Sequence, residues 1–194
     1  MLTINEGGNG NSEVELVRTE SPRDPRDLSD FVTAPFTVAI DTREQAPFAF
    51  RGIHSDARQK RKLLLIPTTR KTLHTGDYSI EGYESEITIE RKSLEDLYGT
   101  LGQGRDRFER ELERIASFQH AFVVVEASWM KILESPPPQT RLAPKSVYRS
   151  ILAWQQRIPH LHWWACHTRR FAEITTFRIL ERFFRDNLVT TARE

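Results

Sequence analysis

The chain has a single cysteine, Cys166, in 194 residues. No internal disulfide framework can hold such a fold, and the composition suits a reducing compartment. No apolar run approaches the ~20 residues that a membrane span needs. The opening stretch, "MLTINEGGNGNSEVELVRTE", lacks the basic start and apolar centre of a secretory signal. Neither sign of charge is in surplus, since 28 Lys and Arg stand against 27 Asp and Glu, a net +1. A global basic field is thereby excluded, so any site for a polyanion must come from local clustering. These absences lead us to expect a cytoplasmic protein with no membrane partner.

What is present is enough for one domain. A chain of 194 residues that is 38% hydrophobic can bury a proper core. Residues 1–34 are polar and include the charged "SPRDPRDLSD", a composition that reads as a flexible tail. The folded part is expected over 35–188, with a short tail at 189–194. It opens on "FTVAID", a strand of β-formers ending on Asp41,. Two strand-like runs follow, "TLHTGDYSI" and "SEITIERK", joined by a turn around Gly82. Phe108, Leu112 and Ile115 in "GRDRFERELERIASF" form the apolar stripe of a helix. "AFVVVEA" is a continuous apolar run, as in a strand buried on both faces. Then come a helix through "PKSVYRSILAWQQRI", a short strand "HLHWWAC" and a last helix "FAEITTFRILERFF". The order β, ββ, α, β, α, β, α predicts one α/β domain, a mixed sheet flanked by helices.

One stretch does not fit a merely structural account. "ITIERKSLEDL" begins as a core strand and ends in Glu90-Arg91-Lys92. Side chains alternate along a strand, so Glu90 and Lys92 share a face and Arg91 takes the other. If the hairpin turns between Tyr83 and Glu84, Asp77 of "TGDYSI" lies across from Glu90. A slip of one residue would spoil that register. Taken alone, Glu90 and Lys92 read as a surface ion pair. With Asp77 added, two carboxylates and a lysine converge, and the carboxylates need something positive between them. Mg²⁺ is held in this way, by one or two carboxylates plus phosphate oxygens. Lys92 beside it can orient or deprotonate a water, or stabilise transition-state charge.

"VAIDTREQ", "TGDYSI" and "ERKSLEDL" resemble the motifs of the XPF-type structure-specific endonuclease domain, whose signature is GD, a gap, then ERKxxxD. Gly76-Asp77, Glu90-Arg91-Lys92 and Asp96 match it, and Asp41-Thr42-Arg43-Glu44 matches the upstream strand motif. The resemblance spans roughly residues 36–185. It implies a restriction-endonuclease-like core, dependence on Mg²⁺ with Mn²⁺ as a substitute, and cleavage of branched, flapped or otherwise non-duplex DNA in repair or recombination. Such a protein would be nucleoid-associated. By carry-over, Asp77 and Glu90 are metal ligands with Asp41 or Glu44 in support, and Lys92 is the catalytic lysine. Arg43, Arg91 and Asp96 belong to the motif and admit a structural role as well. The family pairs its nuclease domains, so a homodimer through the C-terminal helices, around 144–158 and 171–185, is expected.

Two other readings stand beside the nuclease. One is a non-catalytic DNA-binding or scaffolding domain of the same fold; the other is a sequence-specific restriction-type enzyme. The basic run Arg58-Gln59-Lys60-Arg61-Lys62 is either a solvated loop or a phosphate contact. Arg105, Arg107 and Arg110 could track DNA too, although their alternation with Glu109, Glu111 and Glu113 reads first as a helix laced by i, i+4 pairs. For Arg91, pairing with Asp96 and a catalytic role stand as equal readings, and Trp154, Trp163 and Trp164 are expected to pack in the core. His160, His162, His167 and Cys166 suggest zinc, but their spacing matches no structural zinc pattern.

Overall fold

The computed structural model describes residues 30–56 and 61–191 of the chain, with side chains through 188. In chain order the elements are β1 (Phe31–Thr33), β2 (Val38–Asp41), β3 (Leu63–Leu65), β4 (Thr68–Lys71), β5 (Tyr78–Ile80), β6 (Ile87–Lys92), α1 (Leu94–Leu101), α2 (Arg105–Ile115), β7 (His120–Val125), α3 (Trp129–Glu134), α4 (Pro144–Arg157), β8 (Leu161–Ala165) and α5 (Arg169–Thr191). Six strands form one sheet in the order β4-β2-β5-β6-β7-β8. β5 runs antiparallel to both β2 and β6, and the remaining neighbours are parallel. The mixed sheet flanked by helices is as the sequence predicts.

Local chemistry sets the helix starts. The Ser93 hydroxyl accepts from the Asp96 amide at 3.0 Å and donates to the Asp96 carboxylate at 2.8 Å, a reciprocal cap that opens α1. Ser128 caps α3 in the same way through the Lys131 amide, and Pro144 occupies the first turn of α4, where its missing N–H goes unneeded.

The sheet separates two apolar layers. On one face Val123, Val125 and Trp163 pack with Leu97, Phe108, Leu112 and Ile151 from α1, α2 and α4. On the other, Val38, Ile40, Tyr78, Ile87, Ile89 and Val124 pack with Phe177, Leu180 and Phe183 from α5 and with Phe48 and Phe50. Alternation along β6 therefore sends Ile87, Ile89 and Arg91 toward α5, and Glu90 and Lys92 toward α1 and α2.

Several expectations change. Phe31–Thr33, read as part of the tail, form β1 and pair in parallel with β3. The polar "TTRK" is strand β4, tolerated because it sits at the sheet edge with mostly exposed side chains,. On α5, Phe177, Leu180 and Phe183 pack on the sheet while Phe171 and Leu188 stay exposed. An exposed apolar patch lies on α3 and on α4, the first of the two helices expected to pair, where Trp129, Leu133, Tyr148 and Leu152 line a cavity of about 400 Å³. Trp154 and Trp163 are buried as expected, but Trp164 is 48% exposed. Among the described residues no helix is long and apolar enough to cross a membrane.

Candidate active site

Beyond the reach of the apolar layer under α1 and α2, that face of the sheet opens into a cavity of about 550 Å³. Asp41, Asp77, Glu90 and Lys92 line it from the sheet, and Asp96, Arg107, Phe108, Glu111 and Arg114 from the helices. The hairpin register is the one the sequence suggests. Tyr78 pairs with Ile89, and Asp77, just before β5, donates its amide to the Ile89 carbonyl at 2.8 Å. The Arg91 amide in turn donates to Asp77 Oδ2 at 2.8 Å. Gly76 permits this close crossing. Its φ is +78°, and a Cβ there would stand 2.1 Å from Thr88 Oγ1, so only glycine fits.

Lys92 Nζ donates to Glu90 Oε1 and lies 5.1 Å from the centre of the Phe108 ring. Burial works against the Lys92 charge, but Glu90 and Glu111 outweigh it and its pKa is raised. Burial, and then the Asp77 charge, push the Glu90 carboxyl well above the usual range despite Lys92. Burial likewise raises Asp77 to about 6, against the pull of the Arg91 amide. One lysine does not neutralise two buried carboxylates.

Asp41 behaves differently. Its Oδ1 accepts from the Arg43 amide at 2.8 Å and from Arg43 Nε at 2.7 Å. Its Oδ2 accepts from the Leu73 amide at 2.7 Å and from Arg43 Nη2 at 3.0 Å. Burial opposes its charge, yet those bonds hold its pKa below the usual value. Each oxygen of Asp41 thus has two donors in this structure, and the residue lines the cavity where the sequence expects a supporting ligand. Arg43, 65% exposed along its side chain, stands at the cavity rim.

Glu44 and Arg91 lie on the opposite face. Arg91 donates to Glu126 at 2.6 Å and to Glu44 at 3.3 Å, and Arg169 donates to Glu126 at 2.7 Å. Both guanidinium groups sit within 6 Å of the Phe48 ring, at 5.7 and 5.0 Å,. An Arg91–Asp96 pair is absent, because Asp96 is engaged in capping α1. Glu44 consequently does not line the cavity.

Of the basic residues, Arg105 turns to α4, bonding Ser150 at 2.9 Å and standing 5.3 Å from the Trp154 ring. Arg107 lines the cavity. Lys60 lies outside the described residues; Arg61 and Lys62 precede β3 and do not line the cavity. Sequence reasoning missed Glu111 and Arg114. With Arg107 they sit one position before Ile115, Leu112 and Phe108, so each core residue of α2 has a cavity-facing neighbour. The signal was this second stripe, read as ordinary surface charge.

Among the described residues no three His, Cys, Asp or Glu side chains converge closely enough to hold a metal alone. Mg²⁺ does not require that: it keeps several waters and takes one or two carboxylates with phosphate oxygens. Asp77 and Glu90, two carboxyl groups that share one lysine at an open cavity, fit that donor set.

A mixed sheet carrying paired acids and a lysine at a hairpin beside a cavity defines the restriction-endonuclease-like nuclease class. Residues 40–176 match the ERCC4 domain family, and the chain belongs to that family, an XPF-type nuclease domain. The fold is shared with XPF from Aeropyrum pernix, at 21% identity and a TM-score of 0.52, covering 76% of this chain and 60% of that one. A second structure, of XPF from Aeropyrum pernix in complex with DNA, gives 20% identity and a TM-score of 0.53, covering 78% of this chain and 66% of that one. This chain thus spans less than two thirds of the length of either. No curated protein sequence matches.

Proposed function

We propose that the chain is a Mg²⁺-dependent DNA endonuclease that hydrolyses phosphodiester bonds in branched, flapped or otherwise non-duplex DNA, in repair or recombination. The observation that carries this reading is the pair of half-buried Asp77 and buried Glu90 on one sheet face, incompletely neutralised and facing an open cavity beside Lys92. A bound Mg²⁺, held by Asp77 and Glu90, supplies Lewis-acid polarisation of the phosphodiester and a more acidic water. Mn²⁺ would fill the same donor set.

The chain's own residues supply the rest. The Arg91 amide fixes the Asp77 carboxylate, and the hairpin fixes its distance from Glu90. Lys92 remains an ammonium and donates hydrogen bonds to the attacking water or to the phosphoryl oxygens as charge builds there. Arg43, Arg107 and Arg114 around the cavity balance the phosphate backbone on either side. The patch on α3 and α4, with Met130 68% exposed, supports a homodimer through a face that includes the 144–158 helix.

Purified protein incubated with labelled flap, fork, Holliday-junction, single-stranded and duplex DNA tests the reading. Cutting of branched substrates with Mg²⁺ or Mn²⁺, and none in EDTA, is expected. Protein that binds branched DNA but never cuts it with either metal would replace the nuclease with the scaffolding reading.

A further inference from the structure

Glu111 belongs to no motif block, yet it faces the acids from the opposite wall. It lines the cavity from α2 and is half-buried. Arg107 and Arg114 are its i−4 and i+3 neighbours, the spacing at which helix charges meet. Even so, Glu111 makes no hydrogen bond or ion pair with them or with any other of the described residues. Its charge nevertheless acts on the Asp77, Glu90 and Lys92 groups, raising the pKa of each.

Lys92 presents the complementary problem. Its ammonium is bound to Glu90, one of the two carboxylates that a divalent cation would need. A dication brought to the same carboxylate repels that ammonium, which favours a move of Lys92 off Glu90 when the cation arrives. It cannot leave as a bare charge, because an unpaired buried ammonium is costly. The Lys92 ammonium already rests against the Phe108 ring. Glu111 follows Phe108 by three residues on α2, a separation that puts their Cβ atoms about 5–6 Å apart on one helix face.

We infer that Glu111 is a positioning residue that takes over Lys92 when a divalent cation engages Glu90. This rests on the metal reading above. Glu111 is then a free carboxylate held in reserve, and Lys92 exchanges one acidic partner for another without leaving the cavity. The exchange keeps Lys92 protonated beside the reacting phosphate while it frees Glu90 to ligate.

The test is Mn²⁺ calorimetry without DNA, on the full chain and on Glu111→Gln, Lys92→Met and the double variant. Glu111→Gln should weaken Mn²⁺ binding about tenfold, because Lys92 then stays on Glu90. In the Lys92→Met background the same change should have an effect of less than about threefold, the coupling expected of residues that act through each other. Melting in EDTA should not change on Glu111→Gln, since no partner is lost. A structure of the unaltered protein with Ca²⁺ should show Lys92 Nζ within ~3.2 Å of the Glu111 carboxylate. Equal weakening in both backgrounds, no weakening in either, or Lys92 still on Glu90 with the ion bound would overturn the inference. Failure of the unaltered chain to bind Mn²⁺ at all would be a different result. It would sink the metal site itself, and this inference with it.

Discussion

One strand, β6, feeds two buried charge clusters that differ in a single respect. On the α5 face Arg91 meets Glu44 and Glu126, and Glu126 also receives Arg169. Two guanidinium groups there answer two carboxylates, against an aromatic ring. On the α1–α2 face Glu90 and Asp77 have one lysine between them, and both carboxyls are pushed up by burial. A buried cluster in charge balance holds structure together. A cluster left short of positive charge stores repulsion that a cation can relieve, and strongly perturbed groups at a cavity are the mark of a working site.

The comparison can be broken most forcefully on the cavity side. Asp77→Asn and Glu90→Gln should each lower single-turnover cleavage on the order of a thousandfold or more. Asp77→Asn should melt no lower than the unaltered protein in EDTA, since it removes a repelling charge, whereas Glu90→Gln also strands the buried Lys92 ammonium and should melt lower,. A lower melting temperature for Asp77→Asn would show that this acid stabilises the apo fold and would erase the distinction. The mirror-image change is Glu126→Ala, which strands Arg91 and Arg169. It should cost about 3 kcal/mol in denaturant unfolding, while the protein that remains folded binds Mn²⁺ nearly as before. Lys92→Ala should slow cleavage on the order of a hundredfold and leave DNA affinity little changed. If affinity falls in step with rate, the lysine is a binding residue only.

The smallest effect is in pH. The Asp77 carboxyl titrates near 6 in the folded chain, above its ordinary 3.8. The native state therefore holds that proton more tightly than the unfolded chain does. Stability contributed by the group is present at low pH and lost as pH rises from about 4 through 6. In EDTA, Asp77→Asn should accordingly be the more stable form above pH 7, by on the order of 1–3 kcal/mol. The gap should close toward pH 4. A gap independent of pH would mean that Asp77 is not the carboxyl under strain.

The sequence showed the cavity side more clearly than the balanced side, for a physical reason. Asp77, Glu90 and Lys92 sit on one local hairpin, where strand alternation and turn position fix who faces whom. Arg91 meets Glu126 from a neighbouring parallel strand end, 35 residues away, a distance over which no local rule reaches. Asp41 was assigned as a ligand because its motif position says so. Its partners in the structure, Arg43 two residues on and the Leu73 amide from beyond β4, were not legible there. Glu111 was hidden by composition, since α2 alternates charges along its whole outer surface. Only the tertiary placement of Phe108, Leu112 and Ile115 decides which charges face the cavity. β1 and β4 were illegible because three or four residues of ordinary polarity carry no period.

Gly76 and Gly82 both adopt a left-handed backbone, at φ +78° and +89°, but they differ in how much substitution each can absorb. Around Gly82 nothing lies within 4 Å of a would-be Cβ, so asparagine or aspartate, which tolerate that conformation, can be accommodated. At Gly76 the conformation and the space coincide as constraints: even alanine must push Thr88 aside and disturb the Ile89 carbonyl that holds Asp77. Under selection, Gly82 is therefore a position that can drift, whereas Gly76 is fixed by an atom it lacks. The residue in this hairpin with the least freedom to vary is one that carries no functional group.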